Sequence, residues 1–289
     1  MLKRAVLIAG PTASGKSALA LQKARETGGI VVNTDALQVY DGLLLITARP
    51  GEAELAAAPH RLYGIVPPSQ RFSTGDWARA AAQMIAEAGD RPLIFAGGAG
   101  LYFETLTKGF ADVPEIPSSA LAWAEAEVHG LDREARIRLI AGRDPAMAGR
   151  LKGTDPQRVI RALAVLKATG RSLASYQDEA AQPLLKGWRL ERLVLNPDRE
   201  VLRARIAARF AAMLEQGAVA EVRALLAREL DPSLPVMKAI GVREIGDWLA
   251  GVSSREEMLE RAVTATRQYA KRQRTWFRNR MSEWSWIEA

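Results

Sequence analysis

Three short apolar runs punctuate the chain, at residues 5–9, 30–32 and 92–96, and a fourth segment, residues 190–195, alternates or runs apolar. Each is too short for a core helix and reads as a buried strand. Between them, polar and apolar positions recur at helical spacing. A first helix is predicted over residues 17–25, stopped by Gly28 and Gly29. An Ala-rich helix runs to about Gly89, with Ser73 or Thr74 available as its cap. Residues 199–216 read as a long helix ended by Gly217, residues 221–229 continue helical, and residues 262–282 form the last helix. Strands alternating with helices predict an α/β fold, a parallel sheet flanked by helices.

One stretch breaks that alternation. After Val113-Pro114-Glu115-Ile116-Pro117, residues 118–170 are rich in Ala, Arg, Glu and Leu and keep helical periodicity without a strong strand. Residues 174–186 are polar and read as the return linker. The chain therefore reads as a core of residues 1–112 and 187–289 carrying an inserted all-helical domain, residues 113–186.

Composition adds limits. The 289 residues include no Cys and carry a net charge of +7. That excludes a disulfide framework and Cys-ligated zinc, and it suits the cytoplasm, where the protein is expected. His60 and His129 lie far apart and do not form a zinc pair. No apolar run is long enough to span a membrane. Met1-Leu2-Lys3-Arg4 followed by apolar residues imitates a leader, but the run is short and leads straight into a glycine loop, so no signal peptide is expected.

That glycine loop is the chief chemical signal. Gly10-Pro11-Thr12-Ala13-Ser14-Gly15-Lys16-Ser17 joins a strand to a helix, the setting of a P-loop. Gly10 and Gly15 allow a tight turn in which successive N–H groups face one concavity and hold phosphate oxygens. The helix N-terminus adds its positive dipole end. Lys16 supplies a point charge, and the Ser17 hydroxyl is placed to ligate Mg²⁺. The loop calls for a diphosphate or triphosphate without naming it.

Asp35 follows the second apolar run and falls on the same rim of the sheet, beyond the strand ends. It is open to three roles: a Mg²⁺ ligand, a general base, or the cap of a helix beginning at Ala36. The run at 92–96 ends in Gly97-Gly98-Ala99-Gly100, where an ATPase usually carries an acidic residue. Glycines there let a backbone or a substrate come close. Thr47-Ala48-Arg49-Pro50 offers one cation, for phosphate or for solvent. In the insertion, Asp155 and Pro156 start a helix whose Gln157, Arg158 and Arg161 share a polar face, either solvated or a contact surface. Arg205 and Arg209 are an i, i+4 pair with the same two options.

Residues 262–282 contain six cations and no acid. As a helix they put Arg267, Lys271, Arg274 and Arg278 on one stripe, with Tyr269 and Trp276 on another face. A single-sign stripe repels itself and is compensated by a polyanion, so a nucleic-acid contact is expected. The parts together describe an enzyme bringing a small polyphosphate to a nucleic acid. A P-loop small-molecule or nucleoside kinase, and a nucleotide-switched RNA-binding regulator, are the alternatives.

The ordered set of motifs resembles the tRNA dimethylallyltransferases, also called tRNA isopentenyltransferases. The resemblance is carried by residues 10–17, 35–40 (Asp-Ala-Leu-Gln-Val-Tyr), 47–50, 97–102, 155–163 and 266–273, in that order and over nearly the whole chain. It implies transfer of dimethylallyl from its diphosphate to N6 of the adenosine just 3′ of a tRNA anticodon. It implies a P-loop core, an inserted helical domain and a channel between them. In it Asp35 is the general base, while Gly10, Pro11, Thr12, Ala13, Ser14, Gly15, Lys16, Ser17 and Arg209 hold the diphosphate, with Mg²⁺ at Ser17. Ala36, Leu37, Gln38 and Ala99 meet the flipped target base, Gln38 reading its edge. Gln157, Arg158, Val159, Ile160 and Arg161 meet the tRNA from the insertion, and Arg267, Lys271 and Arg274 meet its phosphates. The partners implied are the anticodon stem-loop of tRNA and dimethylallyl diphosphate, with no membrane and a monomeric protein. Three positions depart from the family pattern: Ala36 where Ser is common, Ala99 where Thr is common, and Val242 where Tyr is frequent. Asp35 and the P-loop remain, so activity is expected to survive the missing hydroxyls.

Overall fold

The computed structural model describes residues 2–111, 113–151, 155–179 and 182–288. Six strands form one sheet. In chain order the first part contains β1 (Arg4–Ala9), α1 (Lys16–Thr27), β2 (Ile30–Asn33), α2 (Glu52–Ala57), β3 (His60–Arg61), α3 (Thr74–Glu87), β4 (Leu93–Gly97) and α4 (Gly100–Thr107). Helices α5 (Ser118–Val128), α6 (Arg133–Arg143), α7 (Pro145–Leu151), α8 (Pro156–Thr169) and α9 (Leu173–Asp178) follow. The chain returns with β5 (Arg189–Leu195), α10 (Arg199–Glu215), α11 (Ala218–Leu226), a 3-10 turn (Pro235–Lys238), α12 (Val242–Leu249), α13 (Arg255–Arg280) and β6 (Ser285–Ile287).

Sheet order is β3-β2-β4-β1-β5-β6, and every pairing is parallel. Strand β4 is buried at all five residues, as a parallel strand covered on both faces must be. Its partners β1 and β2 are almost as apolar, and Ile8, Val31, Ile94 and Leu193 share one core with Ala20 and Ala24 of α1. This is the predicted α/β sheet. The edge strands β3 and β6 were not legible as strands. His60 serves structure there: its Nδ1 lies 2.8 Å from the Ala58 carbonyl and its ring packs edge-on against Tyr63.

The chain divides into two compact units, Met1–Glu104 with Leu185–Ala289, and Thr105–Leu184. The sequence boundary at residue 112 involves Asp112, which lies outside the described residues. The second unit is helical among its described residues, and its core gathers Ala124, Val128, Ile140, Met147, Val159 and Leu163. Asp144 is buried at its centre, accepting from the Ser172 hydroxyl (2.8 Å) and the Met147 N–H (3.1 Å). A buried carboxylate needs such donors to offset its lost hydration.

Candidate active site

The C-terminal ends of β1, β2 and β4 deliver three loops to one rim, where parallel α/β sheets hold their ligands. The loop after β1 is residues 10–17. Ala13 (φ 62) and Gly15 (φ 89) are both left-handed and flank Ser14, an alternation that turns successive amides to one side. Ala13 adopts that backbone at a cost of about 1 kcal/mol, which glycine would avoid. Gly15 ends the loop, α1 starts at Lys16, and the Lys16 Nζ donates to the Pro11 carbonyl at 3.2 Å.

The loop after β2 carries Asp35. Fully buried Asn33 aims it: Asn33 Oδ1 accepts from the Asp35 N–H (2.7 Å), and Asn33 Nδ2 donates to the carbonyls of Asp35 and Leu62 (3.0 Å each). Residues 36–39 form turns, not the helix that Asp35 could have capped. Asp35 Oδ1 accepts from the Leu37 N–H at 3.0 Å, an Asx turn, and no hydrogen bond to a described residue engages Oδ2.

Asp35 lines a cavity of about 370 Å³. Thr12 and Ala13 of the 10–17 loop and Leu37 border it, as do the cations Arg209, Lys238 and Arg272. Its apolar wall includes Ile46, Ile206, Phe210, Met213 and Ile240. Charge and grease are thus adjacent, which matches an anionic head bearing an apolar chain. Burial lowers the Lys16 pKa to about 8, Asp35 opposing that and Arg209 adding to it. Burial also lowers Arg209, again against Asp35. The Tyr269 phenol is pushed up by burial and then by the Asp35 charge. Asp35 is therefore felt electrostatically by the groups around the cavity.

Other expected residues sit elsewhere. Ala36 is exposed and Ala99 half-buried, and neither borders the cavity; the Ala99 N–H donates to the Thr34 carbonyl at 2.9 Å. Gln38 also holds structure. Its Nε2 donates to the carbonyls of Thr47 (2.8 Å) and Ala48 (3.0 Å), so both amide hydrogens brace a loop and only Oε1 is left to read a base. Arg49 braces the same loop through the Tyr40 carbonyl (3.0 Å). The glycines at 97, 98 and 100 make room for protein: an added Cβ would run into the Thr34 backbone, the Gln273 amide and the Trp276 ring respectively. Of the Arg pair on α10, only Arg209 reaches the cavity.

Arg267, Lys271, Arg274 and Arg278 line a separate groove of about 460 Å³, the predicted stripe, and Arg199 and Arg203 of α10 form its second wall. Burial, then Arg278 and Arg199, pull Arg274 below its ordinary value. In the second unit, Asp155 Oδ1 accepts from the Gln157 N–H (2.9 Å) and caps α8. Gln157, Arg158 and Arg161 are exposed on it. Val159 and Ile160 are corrections, because their side chains are buried in the core of that unit.

Lys238, Tyr269 and Arg272 line the cavity although sequence reasoning did not place them there. Arg272 adjoins the cationic stripe in sequence, but the helix turns it to the other side. Glu221 of α11 was also missed. Its carboxylate accepts from the backbone N–H groups of Leu44, Leu45 (2.9 Å) and Ile46 (2.9 Å), fixing the segment that gives Ile46 and Thr47 to the cavity. Glu221→Ala strands those amides and is expected to destabilise the protein by about 2–3 kcal/mol, read as a lower urea midpoint. An unchanged midpoint would mean that water replaces the carboxylate without loss.

Residues 38–280 match the family described as IPP transferase. The chain belongs to the IPP transferase family. It is 54% identical over 286 residues to a tRNA dimethylallyltransferase of Chelativorans sp. (strain BNC1), covering 97% of each chain. It is 47% identical over 287 residues to one from Rhizobium meliloti (strain 1021), covering 98% of this chain and 95% of that one. Among solved structures, a full-length tRNA isopentenylpyrophosphate transferase from Bacillus halodurans superposes with TM-score 0.69 at 31% identity, covering 100% of this chain and 90% of that one. A eukaryotic dimethylallyltransferase acting on tRNA gives TM-score 0.79 at 28% identity, covering 95% and 70%. Membership of the IPP transferase family does not favour the kinase alternative.

Proposed function

We propose that this chain transfers dimethylallyl from dimethylallyl diphosphate to N6 of the adenosine 3′ to the anticodon in tRNA. The observation that carries the reading is the cavity in which the Asp35 carboxylate, the 10–17 loop and three cations meet an apolar wall. Adenine N6 is a poor nucleophile, because its lone pair is delocalised into the ring. Asp35 takes its proton as the N6–carbon bond forms and the carbon–oxygen bond to diphosphate breaks. The loop amides, Lys16 and Arg209 hold the departing diphosphate, and preorganised charge of this kind costs nothing to reorient during the reaction. Ile206, Phe210 and Met213 cover the five-carbon chain and keep water from it.

Ser17 is exposed on the first turn of α1, and no cluster of three His, Cys, Asp or Glu forms a metal cage among the described residues. That donor set fits Mg²⁺, which binds through one or two protein oxygens, substrate phosphates and water. When bound there, the ion would supply further stabilisation of the leaving charge. The target base leaves the anticodon-loop stack to reach Asp35, at low cost because the loop is already unpaired. The α13 groove and the exposed face of α8 supply phosphate contacts. No described helix is long and apolar enough to cross a membrane. We place the protein in the cytoplasm as a monomer.

Labelled dimethylallyl diphosphate is offered with two tRNAs differing only in adenosine or guanosine 3′ of the anticodon. Label on the adenosine form alone is expected. ATP turnover without label would instead support a kinase.

A further inference from the structure

Gln273 lies on α13 between the two chemistries of this molecule. It is 6% exposed. Its Oε1 accepts from the Thr12 N–H of the 10–17 loop at 3.0 Å, and its Nε2 donates to the Gly98 carbonyl at 3.2 Å. One side chain thus brackets the loops that leave β1 and β4, strands paired as far as Ala9 and Gly97. Gly98 is cut to admit it, since a Cβ there would enter the Gln273 amide. A neutral amide of this length both accepts from an N–H and donates to a C=O, whereas an ionised Glu cannot donate, Lys cannot accept, and Met cannot donate and accepts only weakly. The same helix carries Lys271 and Arg274 into the cationic groove and Tyr269 and Arg272 into the Asp35 cavity.

We propose that Gln273 is a positioning residue that ties the diphosphate loop to the nucleic-acid-facing helix α13, so that occupancy of one strengthens binding at the other. This rests on the transferase reading for the identity of the two ligands. A polyanion along the α13 stripe fixes the helix, and a diphosphate fixes the 10–17 loop. Both favour the arrangement in which the two Gln273 hydrogen bonds are made, and coupling through a shared arrangement is reciprocal. Gln273 touches neither ligand in this scheme; it acts through the Thr12 amide.

The test measures the Kd of inorganic diphosphate by calorimetry, with and without a saturating anticodon stem-loop RNA. Wild type is expected to bind diphosphate at least about 5-fold more tightly with RNA present. Gln273→Met, which keeps the volume and loses both hydrogen bonds, is expected to bring that ratio to about one while still binding each ligand alone. Trp276→Phe is the control. It loosens the packing of α13 on Gly100 but keeps the bracket, and it is expected to retain the ratio even at a lower Tm. If wild type binds both ligands with no coupling, or Gln273→Met keeps the wild-type ratio, or Trp276→Phe loses it equally, the tie is overturned and the transferase reading stands. If wild type binds neither diphosphate nor RNA, both readings fall.

Discussion

Asp35→Asn is expected to slow dimethylallyl transfer by about 10²–10⁴-fold while changing diphosphate affinity by less than about threefold. Asn is nearly isosteric and can still accept from the Leu37 N–H, so the turn after β2 is preserved. Asn33 continues to hold the backbone of residue 35. What disappears is the proposed capacity to take a proton from N6. The lost charge also removes a favourable neighbour of Lys16 and Arg209, and less competition from that carboxylate favours a bound anion. The discriminating measurement is a single-turnover rate with pre-bound donor, set beside the diphosphate Kd. A rate within threefold of wild type would assign the proton to another acceptor. Equal loss in rate and in binding would mean that the substitution had disturbed the loop instead.

Lys16→Met carries two expected effects of opposite sign. Removing the charge proposed to hold the diphosphate should cost about 10²–10³-fold in kcat/KM. The same change should stabilise the protein without ligand at neutral pH. Folding lowers the Lys16 pKa from its ordinary 10.5 to about 8, chiefly through burial. Between those values the unfolded chain holds a proton that the folded one has released, so wild-type stability rises with pH across this window. Below pH 8 the folded protein bears the full cost of a buried ammonium, on the order of 3 kcal/mol. Met bears none of it. Urea midpoints of the two proteins should therefore differ most below pH 8, with Met ahead, and converge towards pH 10.5. A constant gap from pH 7 to 10.5 would sink the assignment. Diphosphate binding by wild type should weaken as pH passes 8, because the neutral amine no longer attracts the anion.

The sheet was largely legible because β1, β2 and β4 are apolar runs, as burial on two faces demands, and because β5, charged and mostly exposed in its first half, ends in the buried run Leu193–Leu195. β3 and β6 were not, because His60–Arg61 and Ser285–Ile287 are short, mixed in polarity and recruited by backbone pairing to a neighbour. α13 begins at Arg255, earlier than the acid-free stretch that marked it, because Ser254 and Glu257 form a capping box. In the site, Thr12, Ala13, Asp35, Leu37 and Arg209 were readable from motif and rim position. Lys238, Tyr269 and Arg272 were not, since only the packing of the C-terminal helices decides which side each faces. Contiguous motif residues misled in α8: a helix sends Arg158 and Arg161 outward and Val159 and Ile160 inward. The bracing role of Gln38 was not legible, because a side chain able to read a base can equally hold a loop.

The Gln273 bracket also bears on how the protein is made. The Thr12 amide waits for a partner 261 residues later in the chain, and the Gly98 carbonyl for one 175 residues later. At about 5–20 residues per second on a ribosome, the glycine loop is outside for on the order of tens of seconds before that partner exists. Such distant closures are the slow steps of folding. A nascent chain that already carries all of residues 10–17 and Asp35 therefore does not yet carry the finished cradle. The most recognisable motif in the sequence is completed by a helix synthesised long after it.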